Sequence, residues 1–360
     1  VLSRLVDSAS RVVLSYPGHD KDRELRPSPL LEQVTVSENG LDDAELSGTF
    51  YGTLPGTAPF EIFQEQYAPD IDRDRPASGG SSLFRDQALC PFRAFAHHRL
   101  HADTIDTTDI GLNAMQRGSL VHRVLQLVWD RLKNSKALKN TSDAVLEDYI
   151  TRAVNDAIQQ LAGIRSDTFS DRFRRLEQQR LVRMVRDWLL IDLERPAFTV
   201  TATEKGHHVL FAGITLNLRL DRIDQLADGR LVIIDYKTGN VSLRDWEGDR
   251  PAEPQLPLYA ITSEGEVAAL VYASLKTGDM QYIGLAQEDV SMPGKVYPDA
   301  SWESRLEHWK TVLADLGGEF LGGLAAVAPE NDKACQYCDQ HPFCRIHEKA
   351  QTLMVDESDE

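Results

Sequence analysis

The sequence predicts an α/β fold with a central mixed sheet flanked by helices, because the spacing of its apolar residues changes twice along the chain. From Ser82 to about residue 195 the apolar residues recur at helical spacing, as in amphipathic helices. From 198 to 285 they alternate, which indicates strands, and helical spacing returns near the C-terminus. With 360 residues, 42% of them hydrophobic, the chain is long enough for one large domain or two with a buried core.

The charge balance and the cysteine count exclude several classes of protein. The formal net charge of −17 argues against a surface that holds nucleic acid by overall charge, although a local basic groove is compatible with it. No stretch approaches the roughly 20 apolar residues of a membrane span, and the start shows no signal peptide. Four cysteines are too few for a disulfide scaffold, so we expect a reducing compartment, the cytoplasm, and cysteines that bind metal or lie in the core.

Composition divides the chain into four segments. Residues 1–66 contain short strand-like runs and turns, and we expect a small α/β region there. Residues 67–82 are rich in Pro, Gly, Ser and charged residues, which is typical of a linker. The main domain is expected at 83–347, and the acidic tail at 348–360 is expected to fray.

Two long helices are predicted in the first half of the main domain. The first has Ser119 in the position of an N-cap. Its apolar stripe consists of Leu120, Val121, Val124, Leu125, Val128 and Leu132. The second runs from about Asp171 to Asp192, and its apolar side is expected to consist of Phe173, Leu176, Leu181, Met184, Val185 and Trp188.

The second of these helices is unusually basic for an acidic chain. Segment 171–186 contains six Arg and two acidic residues. Such a run is either a solvated helix face or a face that follows a phosphate backbone, and the pattern alone favours neither.

In the strand-forming half of the domain, two neighbouring strands end in acidic residues. One strand ends at Asp221, and an Asp-Gly turn joins it to an apolar strand that ends in Asp235 and Lys237. The last two residues have the same parity and therefore share one face of the strand. They form an ion pair or bind something else, because charges at the end of a buried strand need partners. Two carboxylates from adjacent strands suit Mg²⁺, and a neighbouring lysine can position or deprotonate water or stabilise negative charge.

Four further polar residues are candidates for the same site. His122 lies near the start of the first long helix, and Glu204 ends the apolar face of its strand. Gln255 and Tyr259 are four residues apart and share one helix face. A single residue of this kind is more often structural than functional. Only the combination of the four indicates a functional site.

In chain order, Gly118-x-x-x-His122, Asp221, Asp235-Tyr236-Lys237-Thr238-Gly239 and Gln255-x-x-x-Tyr259 resemble the nuclease domain of the RecB/AddB family, part of the PD-(D/E)XK nuclease superfamily. The resemblance covers roughly residues 80–347 and is specific as a combination of motifs.

The resemblance implies a DNA nuclease that depends on Mg²⁺ or Mn²⁺. It would be an exonuclease that acts on single strands or duplex ends in repair and recombination. Lys237 would be the catalytic lysine, and Gln255 and Tyr259 would support the site and the DNA backbone. The implied metal ligands are His122, Asp221, Asp235 and the backbone carbonyl of Tyr236, with Glu204 as an additional acidic candidate.

The four cysteines form a second pattern. Cys335-x-x-Cys338-x5-Cys344 lies near the C-terminus, and Cys90 stands far upstream of it. By spacing alone, four thiols suit a zinc ion or an iron–sulfur cluster, with zinc slightly favoured. Cys90-Pro91-Phe92 with the C-terminal trio resembles AddB-type and CRISPR-associated RecB-like nucleases, in which four thiolates hold a [4Fe–4S] cluster. The resemblance implies a structural cluster that ties the helix before the nuclease core to the chain end.

The N-terminal segments from Ser10 to Pro17 and from Pro27 to Leu31 are similar to the end of a helicase-like region that precedes such nuclease domains. We therefore expect the C-terminal part of a longer helicase-like DNA repair protein, or a nuclease with a helicase partner. No Gly-x4-Gly-Lys-[Ser/Thr] motif is present, so ATP hydrolysis is not expected here.

A second hypothesis is a non-catalytic DNA-binding or scaffolding module held together by a metal cluster. A domain of this kind can keep its fold after losing its chemistry. The intact pair of Asp235 and Lys237 argues against this reading.

Overall fold

The computed structural model describes residues 65–71, 77–104, 111–164 and 168–346, with shorter N-terminal pieces at 10, 12, 14, 16–20, 23–26 and 28–33. The chain divides into two compact units, Val1–Gln64 and Glu65–Glu360. The described part of the first unit contains the antiparallel pair β1 (His19–Asp20) and β2 (Arg23–Glu24) and a 3₁₀ helix at Pro29–Gln33. The acidic tail at 348–360 and part of the helicase-like segment lie outside the described residues.

A mixed sheet forms the centre of the second unit, and the described residues supply seven strands in the order β3-β5-β6-β7-β8-β9, with β4 paired to β5. The strands are β3 (Ala77–Gly79), β4 (Phe198–Phe211), β5 (Ile214–Leu226), β6 (Leu231–Lys237), β7 (Val267–Ser274), β8 (Gln281–Ala286) and β9 (Lys295–Pro298). β5 and β6 form the predicted antiparallel hairpin, whereas β6 and β7 are parallel. β3, within the segment predicted as a linker, pairs with β5.

Helices cover both faces of this sheet, which confirms the predicted α/β class. They are α1 (Ser81–Leu89), α2 (Pro91–His98), α3 (Ala114–Leu132), α4 (Ser135–Asn140), α5 (Asp143–Ile164), α6 (Asp171–Leu193), α7 (Gln255–Thr262), α8 (Trp302–Leu321), α9 (Asp332–Gln336) and α10 (His341–Cys344). One core joins α3, α4, α5 and α6 to Ile234 of β6, and a second joins α1, α7 and α8 to Ile233. The central strand is therefore buried on both faces, as its apolar run predicted. None of the described helices is long and apolar enough to cross a membrane.

Two details predicted for the long helices are wrong. α3 begins at Ala114, and its N-cap is Asn113 rather than Ser119. The side chain of Asn113 accepts a hydrogen bond from the backbone N–H of Gln116 at 2.8 Å, and the side chain of Gln116 accepts one from the N–H of Asn113 at 3.1 Å. This reciprocal capping box satisfies two otherwise unpaired N–H groups and fixes the start of the helix. In α6, Leu176 is 57% exposed, because the buried side of the helix is set by residues such as Leu181.

A network of buried charges joins α6 to the central strands. Arg222 donates hydrogen bonds to Asp224 at 2.7 Å and to Asp192 at 3.0 Å. Arg195 donates to the same two carboxylates, at 2.6 Å and 3.1 Å. None of the four residues is more than 3% exposed. Burial alone would raise the pKa of Asp192, but the two arginines hold it below its usual value.

Two tyrosine hydroxyls extend the network toward β6 and β8. Tyr282 donates to Asp192 at 2.6 Å, and the hydroxyl of Tyr236 accepts from Arg222 at 3.3 Å. Because Tyr236 directly follows Asp235, this network reaches the end of the strand that carries the predicted catalytic residues.

We expect Arg222→Met to lower the free energy of unfolding by about 3–5 kcal/mol, because it leaves two buried carboxylates with one arginine fewer. Arg152→Met is the matched control, since Arg152 pairs with Asp148 on the exposed surface of α5. For the control we expect a change within about 0.5 kcal/mol. Chemical denaturation followed by circular dichroism measures both values. Equal losses in the two variants would contradict a stabilising role for the buried network.

Candidate metal centre

Three residues singled out from the sequence come together at the end of the central strands. The Nδ1 atom of His122 lies 3.2 Å from Asp221 Oδ1 and 3.7 Å from Glu204 Oε1. Within the described parts of the chain, these residues form a group whose donor atoms all lie within 4.8 Å of one another. They belong to α3, β4 and β5, so only the folded chain brings them together.

The strands are irregular where Glu204 and Asp221 face each other. Glu204 has a φ of 46°, a left-handed conformation that is strained for a residue other than glycine. In β5, Leu220 belongs to the core that includes α1, α7 and α8, whereas Arg222 joins the charged network on the opposite face. A regular strand would place residues 220 and 222 on one face. The irregularity therefore lies at Asp221 and orients both acids toward His122.

The main chain of β6 holds His122 and Asp221 against the strand. His122 Nε2 lies 2.8 Å from the carbonyl oxygen of Tyr236, and Asp221 accepts a hydrogen bond from the Tyr236 N–H at 2.8 Å. Burial alone would lower the pKa of His122, but hydrogen bonds to Asp221 and Glu204 raise it to about 10. Without a metal ion the ring is therefore an imidazolium at neutral pH, and it would have to release a proton to bind a cation.

Asp235 and Lys237 form an ion pair beside this group. The Nζ atom of Lys237 lies 2.8 Å from Asp235 Oδ2, on the strand face that their shared parity predicted. Asp235 is a neighbour of Asp221 in the sheet, and it contributes no atom to the group around His122. Burial, followed by the charge of Asp221, raises the pKa of Asp235, while Lys237 opposes the rise. Neighbouring carboxylates that repel each other are an environment that favours a cation.

Helix α7 acts on the site through β5. The hydroxyl of Tyr259 donates a hydrogen bond to the carbonyl of Arg219, two residues before Asp221, and the side chain of Gln255 is hydrogen-bonded to Tyr259. Arg219 in turn forms an ion pair with Glu204. The helix therefore supports the backbone that carries the acids.

The group around His122 lines a cavity of about 250 Å³. Its other lining residues are Ser119, Arg123, Gln126 and Arg219. The two arginines were not singled out from the sequence, although Arg219 occupies a solvent-facing position between the buried Leu218 and Leu220, which an alternating pattern can reveal. They add positive charge at the rim, which suits an anionic phosphodiester.

The donor set fits a hard divalent cation. Magnesium takes oxygen ligands in octahedral geometry at about 2.0–2.1 Å, so neighbouring donor atoms are about 3 Å apart. The separations of 3.2 Å and 3.7 Å around His122 Nδ1 are close to that spacing. Because imidazole is a softer ligand than carboxylate, Mn²⁺ suits the same set at least as well.

The four cysteines lie where the C-terminal segment packs against α1 and α2. All are free thiols and half-buried. Burial, followed by the charges of the other three, raises the pKa of Cys335, so each of the other thiols is within electrostatic reach of Cys335. A four-thiolate zinc site has Zn–S bonds of about 2.3 Å, which separates its sulfur atoms by only about 3.8 Å. No three of these thiols, all of which belong to described residues, lie within 4.8 Å of one another.

Hydrogen bonds hold the two cysteine-bearing segments together. His97 contacts Asp86 through one ring nitrogen and Asp339 through the other, each at 3.0 Å. Burial alone would raise the pKa of Asp86, but hydrogen bonds from His98 and His97 lower it to about 2. Asp339 directly follows Cys338, so this ionised bridge positions the C-terminal thiols against α2.

A comparison with models of protein families identifies the superfamily of the chain. The sequence profile of the PD-(D/E)XK nuclease superfamily matches residues 83–345, a range that contains both candidate centres. The chain therefore belongs to the PD-(D/E)XK nuclease superfamily, whose members are generally phosphodiester hydrolases that use Mg²⁺ or Mn²⁺. No curated protein matches the chain. One similar solved structure is the crystal structure of SSO0001, with 14% identity over 73% of this chain and 94% of that chain and a TM-score of 0.25.

We expect Asp221→Asn to weaken Mn²⁺ binding by about ten-fold or more, because it removes a charged donor from the group around His122. Titration of Mn²⁺ followed by electron paramagnetic resonance measures the affinity. Asp148→Asn, on the exposed surface of α5, is the matched control. Equal affinity in the two variants would show that the ion binds elsewhere.

Proposed function

We propose that this chain is a Mg²⁺-dependent deoxyribonuclease, an exonuclease that acts on DNA single strands or duplex ends in repair and recombination. The observation that carries the proposal is the group of His122, Glu204 and Asp221 beside the ion pair of Asp235 and Lys237, in a member of a nuclease superfamily. A purely structural role for the acids leaves one repulsion without relief, because the charge of Asp221 still raises the pKa of Asp235 although Lys237 is paired with it.

Different residues have different proposed roles at the scissile phosphate, as metal ligands or as a positive charge. The metal ligands we propose are His122, Asp221, Asp235 and the Tyr236 carbonyl, with Glu204 as an additional acid. When bound, the ion would neutralise charge on the phosphate and lower the pKa of water.

Lys237 is suited to stabilise charge rather than to remove a proton. Burial alone would lower the pKa of Lys237, but the charge and hydrogen bond of Asp235 raise it above its usual value. The side chain is therefore an ammonium at neutral pH. We assign it the stabilisation of negative charge that develops on the phosphate, with Asp235 holding it in position.

We further propose that Cys90, Cys335, Cys338 and Cys344 bind a structural [4Fe–4S] cluster. The support for this assignment over zinc is the resemblance of Cys90-Pro91-Phe92 and the C-terminal trio to nucleases in which four thiolates hold such a cluster. The hydrogen bonds of His97 to Asp86 and Asp339 join the same two segments that the thiols would join. A cluster would therefore reinforce an existing connection, which is a structural role.

We also propose that the nuclease works beside a helicase-like region, in the same longer chain or in a partner. The support is the resemblance of the segments around Ser10 and Pro27 to the end of such a region. The RecB/AddB subtype rests on the motif order of the main domain.

We expect Asp235→Asn and Lys237→Met each to lower cleavage of end-labelled single-stranded DNA by at least about 100-fold in Mg²⁺. Lys310→Met, on the exposed surface of α8, is the matched control for the lysine. Thermal melting of each variant separates loss of chemistry from loss of fold. Undiminished cleavage in either folded variant contradicts the catalytic assignment, and DNA binding without hydrolysis by the unmodified protein supports the scaffold alternative.

Protein purified without oxygen is expected to contain about four iron and four sulfide per chain. Cys335→Ser should lose most of that iron and melt at a lower temperature, because the cluster that joins the two segments would be lost. Metal analysis together with the visible absorption spectrum measures both. One zinc and no iron in the anaerobic protein would refute the cluster.

A further inference from the structure

Lys237 has a second neighbour besides Asp235, the ring of a tyrosine on the adjacent strand. Tyr272 of β7 pairs with Asp235 of β6 in the parallel register, so both side chains lie on the same face of the sheet. The Nζ atom of Lys237 lies over the ring of Tyr272, 5.9 Å from its centroid. The ammonium group therefore contacts a carboxylate and also faces an aromatic ring.

The ring of Tyr272 is held in a fixed orientation. Its hydroxyl accepts a hydrogen bond from Nε1 of Trp246 at 2.7 Å, and the centroids of the two aromatic rings are 5.0 Å apart. Trp246 ends a short 3₁₀ helix, Leu243–Trp246, which follows β6 along the chain. Neither aromatic residue is more than 2% exposed. The segment that follows Lys237 therefore returns to the sheet and fixes the ring that faces the ammonium group.

The distance between the ammonium group and the ring allows a cation–π interaction. A cation within about 6 Å of the centroid of an aromatic ring is attracted to its face, and the attraction is stronger where water is excluded. The side chain of Lys237 is 32% exposed, so this group is partly shielded from solvent. Because a lysine side chain loses rotamer entropy when it is held in one position, a second contact favours the orientation toward Asp235.

A ring and a carboxylate differ in the other ions that they attract. Asp235 is one of the proposed metal ligands, and a carboxylate that also ligates a cation attracts an ammonium group less strongly. Tyrosine is uncharged at neutral pH, so Tyr272 adds no negative charge beside Asp221 and Asp235. The ring can therefore hold the ammonium group of Lys237 whether or not Asp235 is shared with a metal ion.

We propose that Tyr272 is a positioning residue for Lys237, and that Trp246 fixes Tyr272 in this role. The ring keeps the ammonium group directed toward Asp235, where it stabilises negative charge on the phosphate. This inference rests on the proposed nuclease function, which gives Lys237 its task. The contact between the ring and the ammonium group is a separate claim, and it is testable in protein that contains neither metal nor DNA.

Nuclear magnetic resonance tests this contact. In protein labelled with ¹³C at lysine Cε, the signal of Lys237 is identified by its loss in Lys237→Met. Protons above a ring are shifted upfield by its ring current, so the Lys237 signal should move downfield in Tyr272→Leu and stay close to its position in Tyr272→Phe. Tyr149→Leu is the matched control, because Tyr149 on α5 faces the guanidinium of Arg131, with 4.8 Å between Cζ and the ring centroid. An unmoved Lys237 signal in Tyr272→Leu would overturn the proposal.

Steady-state cleavage of end-labelled single-stranded DNA in Mg²⁺ tests what the contact does. Tyr272→Leu is expected to lower kcat about ten-fold and to change KM less than about two-fold, because the ring acts on Lys237 and not on DNA binding. Tyr272→Phe keeps the ring and should lose less than about three-fold in kcat. Tyr149→Leu should cleave as the unmodified protein does.

A double-mutant cycle shows whether the effect passes through the lysine. In the Lys237→Met background, Tyr272→Leu should cause no further loss of cleavage. The same loss in both backgrounds, or full cleavage by Tyr272→Leu alone, would contradict the positioning role.

Thermal melting identifies the variants that fold. Tyr272→Met, which fills more of the space of the ring, replaces Tyr272→Leu in both assays if the leucine variant is unfolded. An unmodified protein that cleaves no DNA would refute the proposed nuclease function. The Lys237 signal would still decide whether the ring holds the ammonium group, so the two failures are distinguishable.

Discussion

The central constraint on this molecule is the placement of carboxylates at the buried end of its central strands. Asp221 and Asp235 are neighbours in the sheet, and Glu204 joins them from β4. Charges in such a place are stable only when opposite charges or hydrogen-bond donors compensate them. His122 and Lys237 provide the compensation within the chain, from a helix on one face and from the strand itself. Their positions define the site.

The buried network of arginines and aspartates is a second set of charges, and it stabilises the strands that carry the acids of the metal centre. Arg222 and Asp224 belong to β5, as Asp221 does, but they face the opposite core. Tyr236 links the two sets, because its backbone contacts the metal group while its hydroxyl accepts a hydrogen bond from Arg222. Backbone strain at Glu204 is tolerated because the surrounding strands and its ion pair hold that residue in place.

The sequence predicted those parts of the site that follow from local periodicity. The hairpin, the shared face of Asp235 and Lys237, and the helix spacing of Gln255 and Tyr259 all depend on regular geometry over a few residues. The parts that it missed depend on tertiary structure. The alternation of apolar residues predicted for β4 is interrupted by a register shift and by the left-handed backbone of Glu204. Neither irregularity can be predicted from the spacing of apolar residues.

The family-level function was accessible from motif order, whereas the N-cap of α3 and the exposure of Leu176 were not predicted correctly. A helix start is a competition between several capping residues, and its buried side is set by neighbours far away in sequence.

The double attachment of Tyr236 has an evolutionary consequence. Substitutions that loosen the layer formed by α3 and α6 also displace the main-chain atoms of Tyr236 that contact Asp221 and His122. On this face of the sheet, a change that lowers stability should therefore also lower activity. On the other face, α7 also supports the acids through the Arg219 carbonyl, whereas no residue of α1 or α8 lines the cavity of the metal centre, so these two helices can vary with less effect on the reaction. Sequence drift should therefore be uneven between the two faces of one sheet.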